Sequence, residues 1–135
     1  MILRVDKAAH TICFPSTDDA NALYALNYSS EHIYDERNPG LKNFKLKPGD
    51  FYPRMGYLAP GDLWTTNCID LGEYDSVAAV GTALASGSAV FAAVGTQGAV
   101  ALATSAPTAG PILQVIKKTT MPDGTDAFQL QVLAV

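Results

Sequence analysis

Charge is the scarcest commodity in this chain. Asp, Glu, Lys and Arg make up 16% of its 135 residues, against about 25% in ordinary globular proteins. From Ser76 to Ile116 there is no charged residue at all. Nine basic residues against thirteen acidic ones leave a net charge of −4. Phosphate backbones are held by clustered Lys and Arg, so nucleic acid is not the expected partner. The one local basic group, Lys42, Lys45 and Lys47, alternates with Asn43, Phe44 and Leu46, as a charged edge strand does.

Cysteine and histidine are nearly as rare, with two of each. Cys13 and Cys68 lie far apart with no CxxC, which excludes a disulfide framework and a zinc site of the usual spacing. Reduced thiols in an intracellular protein are the expected state. His10 and His32 each fit a structural role better than a catalytic one, although Cys13/His32 or Cys68/His10 pairs are open to some folds. The chain has no GxSxG elbow, GxGxxG, P-loop, HExxH or EF-hand loop. Of the paired carboxylates, Asp18/Asp19, Asp35/Glu36 and Asp50/Asp62, only the last holds equivalent positions, and an aspartate after Pro-Gly normally bonds its own backbone. The expectation is a protein that is not an enzyme, with no catalytic residue, cofactor or metal. The N-terminus carries charges at Arg4, Asp6 and Lys7 and no apolar core of a signal peptide. The sequon Asn27-Tyr28-Ser29 has no meaning without secretion.

What is present is β-like. The length suits one domain over 1–135. Ile2 to Val5 and His10 to Phe14 are short apolar runs, so residues 1–15 are first strands or a docking arm. Lys47-Pro48-Gly49-Asp50-Phe51 is echoed by Ala59-Pro60-Gly61-Asp62-Leu63. Proline presets φ and glycine supplies positive φ, so each echo predicts a turn that starts a strand, over Phe51 to Leu58 and Leu63 to Ile69. The aromatics Phe51, Tyr52, Tyr57 and Trp64 are expected to form the large-residue half of the core. Glycines cut the charge-free run into predicted strands at Val77–Val80, Ala89–Val94 and Ala99–Ala103, with Gly95-Thr96-Gln97-Gly98 as a hairpin connection.

Ile112 to Thr119 and Ala127 to Val135 flank Met121-Pro122-Asp123-Gly124, a type I turn followed by a glycine suited to the left-handed region. Phe128, Leu130 and Val132 share one face of the last strand; Gln129 and Gln131 share the other. One short helix is predicted near residues 17–27, because Ser16-Thr17-Asp18-Asp19 has a hydroxyl cap and acids in a first turn. The fold class is mainly β, a compact antiparallel β sandwich or barrel with at most that one helix. Val77 to Val94 has the length of a membrane span. However, Gly81, Thr82, Ser86, Gly87 and Ser88 lie at its centre, with no basic cluster or aromatic belt, so no membrane partner is expected.

Tyr34-Asp35-Glu36-Arg37-Asn38, Leu46-Lys47-Pro48-Gly49-Asp50-Phe51, Pro60-Gly61-Asp62-Leu63-Trp64-Thr65-Thr66-Asn67 and the C-terminal pair around Gly110-Pro111-Ile112-Leu113-Gln114-Val115-Ile116-Lys117 and Thr120-Met121-Pro122-Asp123-Gly124 resemble a known group. These are the short capsid decoration or cement proteins of tailed bacteriophages. The resemblance covers about two thirds of the chain and implies a small β fold on the outside of a shell of major capsid protein, made in the host cytoplasm and often dimeric or trimeric. Candidate contacts are an exposed arm at Ile2, Leu3 and Arg4 and a loop at Tyr34, Arg37 and Asn38. Other readings are a head-fibre base, tail or baseplate module, and, from a different class, a small β-barrel enzyme or ligand-binding protein with a pocket lined by Tyr24, Tyr28, Tyr57 and Trp64.

Overall fold

In the computed structural model, residues 2–9, 11–15, 23–28, 54–95 and 98–135 are described. They form ten strands and one helix. The strands are β1 (Ile2–Asp6), β2 (Thr11–Cys13), β3 (Leu23–Asn27), β4 (Met55–Tyr57), β5 (Leu63–Thr66), β6 (Ile69–Asp70), β7 (Phe91–Val94), β8 (Val100–Ala103), β9 (Ile112–Thr120) and β10 (Asp126–Ala134); the helix α1 spans Val77–Ala85. Four strands make one sheet in the order β2-β1-β3-β4, and six make a second in the order β5-β10-β9-β7-β8-β6. Every pairing is antiparallel except β6 with β8. The protein is mainly β, its two sheets are compatible with a sandwich, and among the described residues neither closes into a barrel.

The longest pairing is the β9–β10 hairpin. Its turn follows from the residues: Gly124 N donates to Met121 O at 2.9 Å, Gly124 has φ +82°, and Asp123 Oδ1 accepts from Thr125 N and Oγ1. Proline at the second turn position and glycine at the fourth fit that geometry. Leu113 and Val115 on β9, with Phe128, Leu130 and Val132 on β10, are almost wholly buried. They join Val90, Ala92, Val100, Leu102 and the helix residue Val80 in one cluster that also contains Ile2, Tyr24 and Leu58 from the first sheet region. Apolar burial at roughly 25 cal/mol per Å² makes this cluster the main stabilising term.

The predicted turn at Ala59-Pro60-Gly61-Asp62 is present. Asp62 N donates to Ala59 O, Gly61 has φ +96°, and the Asp62 carboxylate accepts from Ala59 N at 2.8 Å. Its aspartate therefore closes its own turn. The first echo, at 47–51, lies outside the described residues. So do Phe51 and Tyr52, and of their expected aromatic cluster Tyr57 is 61% exposed while Trp64 packs on the core. The strand expected over Leu63 to Ile69 is two: β5 pairs with β10, and β6 pairs with β8 on the opposite edge.

Two expectations are corrected. Leu23–Asn27 is not helical; it is a central strand, paired with β1 on one side and β4 on the other. Two-sided pairing and burial of Tyr24 and Ala25 outweigh a local cap signal, and residues 16–22 lie outside the described set. The helix is instead at Val77–Ala85, where a strand was expected. Ser76 Oγ caps it by accepting from Ala79 N at 3.2 Å. Val77, Val80, Ala83 and Leu84 face the core at helical spacing. Gly87, at φ +79°, ends it, with Gly87 N donating to Leu84 O and Ser88 N to Ala83 O. That is the paired closure of a Schellman end.

Truncating the hairpin core tests this account. Leu130→Ala, at a fully buried position, is expected to lower unfolding free energy by about 2–5 kcal/mol in chemical denaturation. Ser76→Ala is expected to cost about 1 kcal/mol by loss of the helix cap.

Candidate interaction surface

Side chains alternate across a strand, so the sheet that buries Leu113, Val115, Leu130 and Val132 on one face must present its other residues on the opposite face. The registers define that second face. Leu63 lies beside Gln131, Gln131 beside Gln114, Gln114 beside Phe91, and Phe91 beside Ala103. The result is a continuous row across five strands. On one side of it run Thr65, Gln129 and Lys117; on the other run Ala93, Ala101 and Asp70. Leu63 is 56% exposed, and Gln131, Gln114, Phe91, Ala103, Ala93 and Ala101 are half-buried.

Among the described residues, the charged side chains of this face are Lys117, on the inner strand β9, and Asp70, on the edge strand β6. Around them lies a neutral floor of alanines with three glutamine amides and a threonine hydroxyl. Each amide can donate and accept, while the alanines let a partner's backbone come close. Two register shifts, at Ile116 and Leu133, add exposed aliphatic side chains, since Ile116 is 43% and Leu133 42% exposed. Bulges of this kind bend a strand and re-aim its side chains.

A carboxylate latch fixes one margin. Beyond β6, Glu73 Oε2 accepts from both Thr104 N and Thr104 Oγ1 at 2.7 Å, and Glu73 N donates to Leu102 O at 3.1 Å. The Thr104 backbone and hydroxyl hydrogen bonds hold the Glu73 carboxyl below its ordinary value of 4.5. Gly72, at φ +56°, brings this loop so close to β8 that a Cβ would run into the Leu102 carbonyl oxygen. The glycine is therefore required on two counts, backbone conformation and space.

The sequence-based contact residues do not gather here. Ile2 is fully buried and Leu3 is 6% exposed. Arg4 is half-buried in β1, where its Nε donates to Cys13 Sγ at 3.1 Å and its guanidinium lies 3.8 Å from Asp6. The expected exposed arm is a paired strand, because two apolar residues gain more from the core than from solvent. Tyr34, Arg37 and Asn38 lie outside the described residues, as do His10 and His32. Tyr24 is buried, whereas Tyr28 and Tyr57 are exposed at 58% and 61%. Among the described residues no cluster of three His, Cys, Asp or Glu side chains is placed to hold a metal ion, and no helix is long and apolar enough to cross a membrane. The neutral face itself was only half visible in the sequence, through Gln129 and Gln131. Phe91, Ala93, Ala101 and Ala103 required the register.

Comparison with protein-family models, curated proteins and solved structures finds no match.

Because the Glu73 carboxyl is lowered in the fold, the unfolded chain binds its proton more readily. The latch's contribution is therefore present above the ordinary carboxyl range and is lost as pH falls through the folded value. Glu73→Gln is expected to lower stability at neutral pH and to flatten the acid side of the profile, so that variant and wild type converge as pH falls, read from thermal melts across pH 3 to 7 in roughly unit steps. Gly72→Ala is expected to cost more than Gly61→Ala, whose Cβ would meet nothing within 4 Å. Strain of about 1–3 kcal/mol applies to either, and only the first adds a backbone collision.

Proposed function

We propose that this chain is a virion structural protein that decorates the exterior of a bacteriophage capsid and stabilises the head by binding the lattice of major capsid protein. The observation that carries this reading is the neutral outer face of the six-stranded sheet, with its row from Leu63 to Ala103. A surface that poor in charge is suited to close, weakly hydrated contact with another protein. The likeness of Pro60 to Asn67 and of the C-terminal hairpin to phage cement proteins supports the same reading, since β5 and the β9–β10 hairpin are the strands that build this face.

The mechanism is bridging without chemistry. A protein that binds the folded shell and not its dissociated or unfolded subunits adds RT ln(1 + [L]/Kd) to shell stability, about 2.7 kcal/mol when free protein is a hundredfold above Kd. Alanines at the contact permit close backbone approach, and the glutamine amides supply directional bonds that fix orientation. Little charge takes part, so binding depends weakly on ionic strength.

The test is cosedimentation of the purified protein with empty phage heads lacking their decoration, with shell melting followed in parallel. Binding that raises the shell melting temperature and changes little with added salt is expected. Ala101→Glu and Gln114→Lys place charge in the neutral floor and are expected to weaken binding by roughly tenfold or more, about 1.4 kcal/mol per decade, with the protein's own melting temperature retained. No cosedimentation with any head, or binding untouched by both substitutions, would count against the proposal.

A further inference from the structure

Strand β8 pairs with β7 on one side, and the register assigns which of its backbone groups point the other way. Gly95 N donates to Ala99 O at 2.8 Å, and Ala101 and Ala103 lie opposite Ala93 and Phe91. Bonded and non-bonded pairs alternate along an antiparallel ladder. Ala99, Ala101 and Ala103 therefore bond β7, while Gly98, Val100, Leu102 and Thr104 turn their backbone groups outward. Each of the four is met. Gly98 O accepts from Ile2 N at 2.8 Å, and Val100 N donates to Cys68 O at 3.4 Å. Strand β6 then runs parallel to Val100 and Ala101. Leu102 O accepts from Glu73 N at 3.1 Å, and Thr104 N donates to Glu73 Oε2 at 2.7 Å.

The last of these bonds is of a different kind. β6 is only two residues long, and Gly72, at φ +56°, turns the chain out of the extended conformation. A longer strand would offer Thr104 N a peptide carbonyl; here a side-chain carboxylate takes that place. No charged residue occurs from Ser76 to Ile116, so β8 and the loop after it offer Glu73 no cation. Its hold comes from the Thr104 N–H and hydroxyl, both at 2.7 Å.

The residues under this cover explain why it is needed. Residues 89–103 include no charged side chain and no proline, and Val90, Phe91, Val94 and Val100 are strong strand formers. A neutral, proline-free strand with an open edge is a template for pairing with another chain. The opposite edge strand, β5, is introduced by Pro60 and Asp62, residues of the kind that blunt an edge. β8 has neither. We propose that residues 68–73 are a strap that seals β8 against strand addition, with the Glu73 carboxylate as its clip. The proposal concerns the chain by itself and is independent of the capsid reading.

The purified full chain tests this, because its own strands are then the only ones present. Glu73→Ala removes the clip. Its Thr104 amide is expected to lose protection from hydrogen exchange by about threefold or more relative to the β9–β10 amides, the order of one hydrogen bond. Thioflavin-positive aggregates are expected sooner than for Ser76→Ala, compared at denaturant concentrations that give equal unfolded fractions, because Ser76→Ala weakens the fold without touching the strap. Ala103→Lys puts a charge on the edge strand and is expected to restore the lag in the Glu73→Ala background. Should Glu73→Ala fail to fold, Glu73→Gln, which keeps a weaker neutral acceptor, makes the same comparison. Aggregation of the clip variant no faster than that of Ser76→Ala would overturn the proposal. So would unchanged protection at Thr104, or a lag that Ala103→Lys does not lengthen.

Discussion

The structure depends on the two-sided demand placed on the β9–β10 hairpin. Its inner face must bury Leu113, Val115, Phe128, Leu130 and Val132, and its two outer edges must each find a partner, which β5 and β7 supply. Once Phe128, Leu130 and Val132 point inward, a one-residue slip in β10 would exchange them for Gln129 and Gln131. The cost of burying those amides fixes the register, and that register carries through β7 to β8. The neutral outer face is the other side of the same constraint.

Small residues make the second half of the fold possible. Ala92 lies fully buried opposite both Leu102 and Leu113, where a larger side chain would force the layers apart. The helix α1 buries a single valine completely, Val80, and needs only partial cover from Val77, Ala83 and Leu84. Gly72 lets the link before it press onto the Leu102 backbone. The Glu73 latch then holds that link with two short bonds at the sheet margin, in solvent, where salt and pH reach it.

Much of the β architecture was legible from the residues. The C-terminal hairpin was, because Met121-Pro122-Asp123-Gly124 has turn chemistry and the flanking strands alternate cleanly. So were the Pro60-Gly61-Asp62 turn, the β7–β8 hairpin and the first two strands. The helix was not. Val77, Val80 and Leu84 carry helical spacing between a serine cap and Gly87, but valine and Gly81 are poor helix formers and resemble strand material in a run already rich in glycine. Leu23–Asn27 misled in the opposite sense, because its pairing with β1 and β4 is non-local and leaves no trace in the adjacent residues. Most of the candidate surface was hidden for the same reason. Phe91, Gln114, Gln131 and Leu63 are scattered in sequence and become neighbours only through four strand pairings.

On the proposed reading this surface binds by fit: with few charges to steer encounter or to reject wrong partners, discrimination would come from shape and from the glutamine amides. The measurement that tests the central claim most directly is oxidative footprinting of the protein on and off phage heads. The account predicts that modification of Leu63 and Phe91 falls on binding while that of the solvent-facing Tyr28 and Tyr57 is unchanged. Protection of the tyrosines with Leu63 and Phe91 still open to solvent would contradict it.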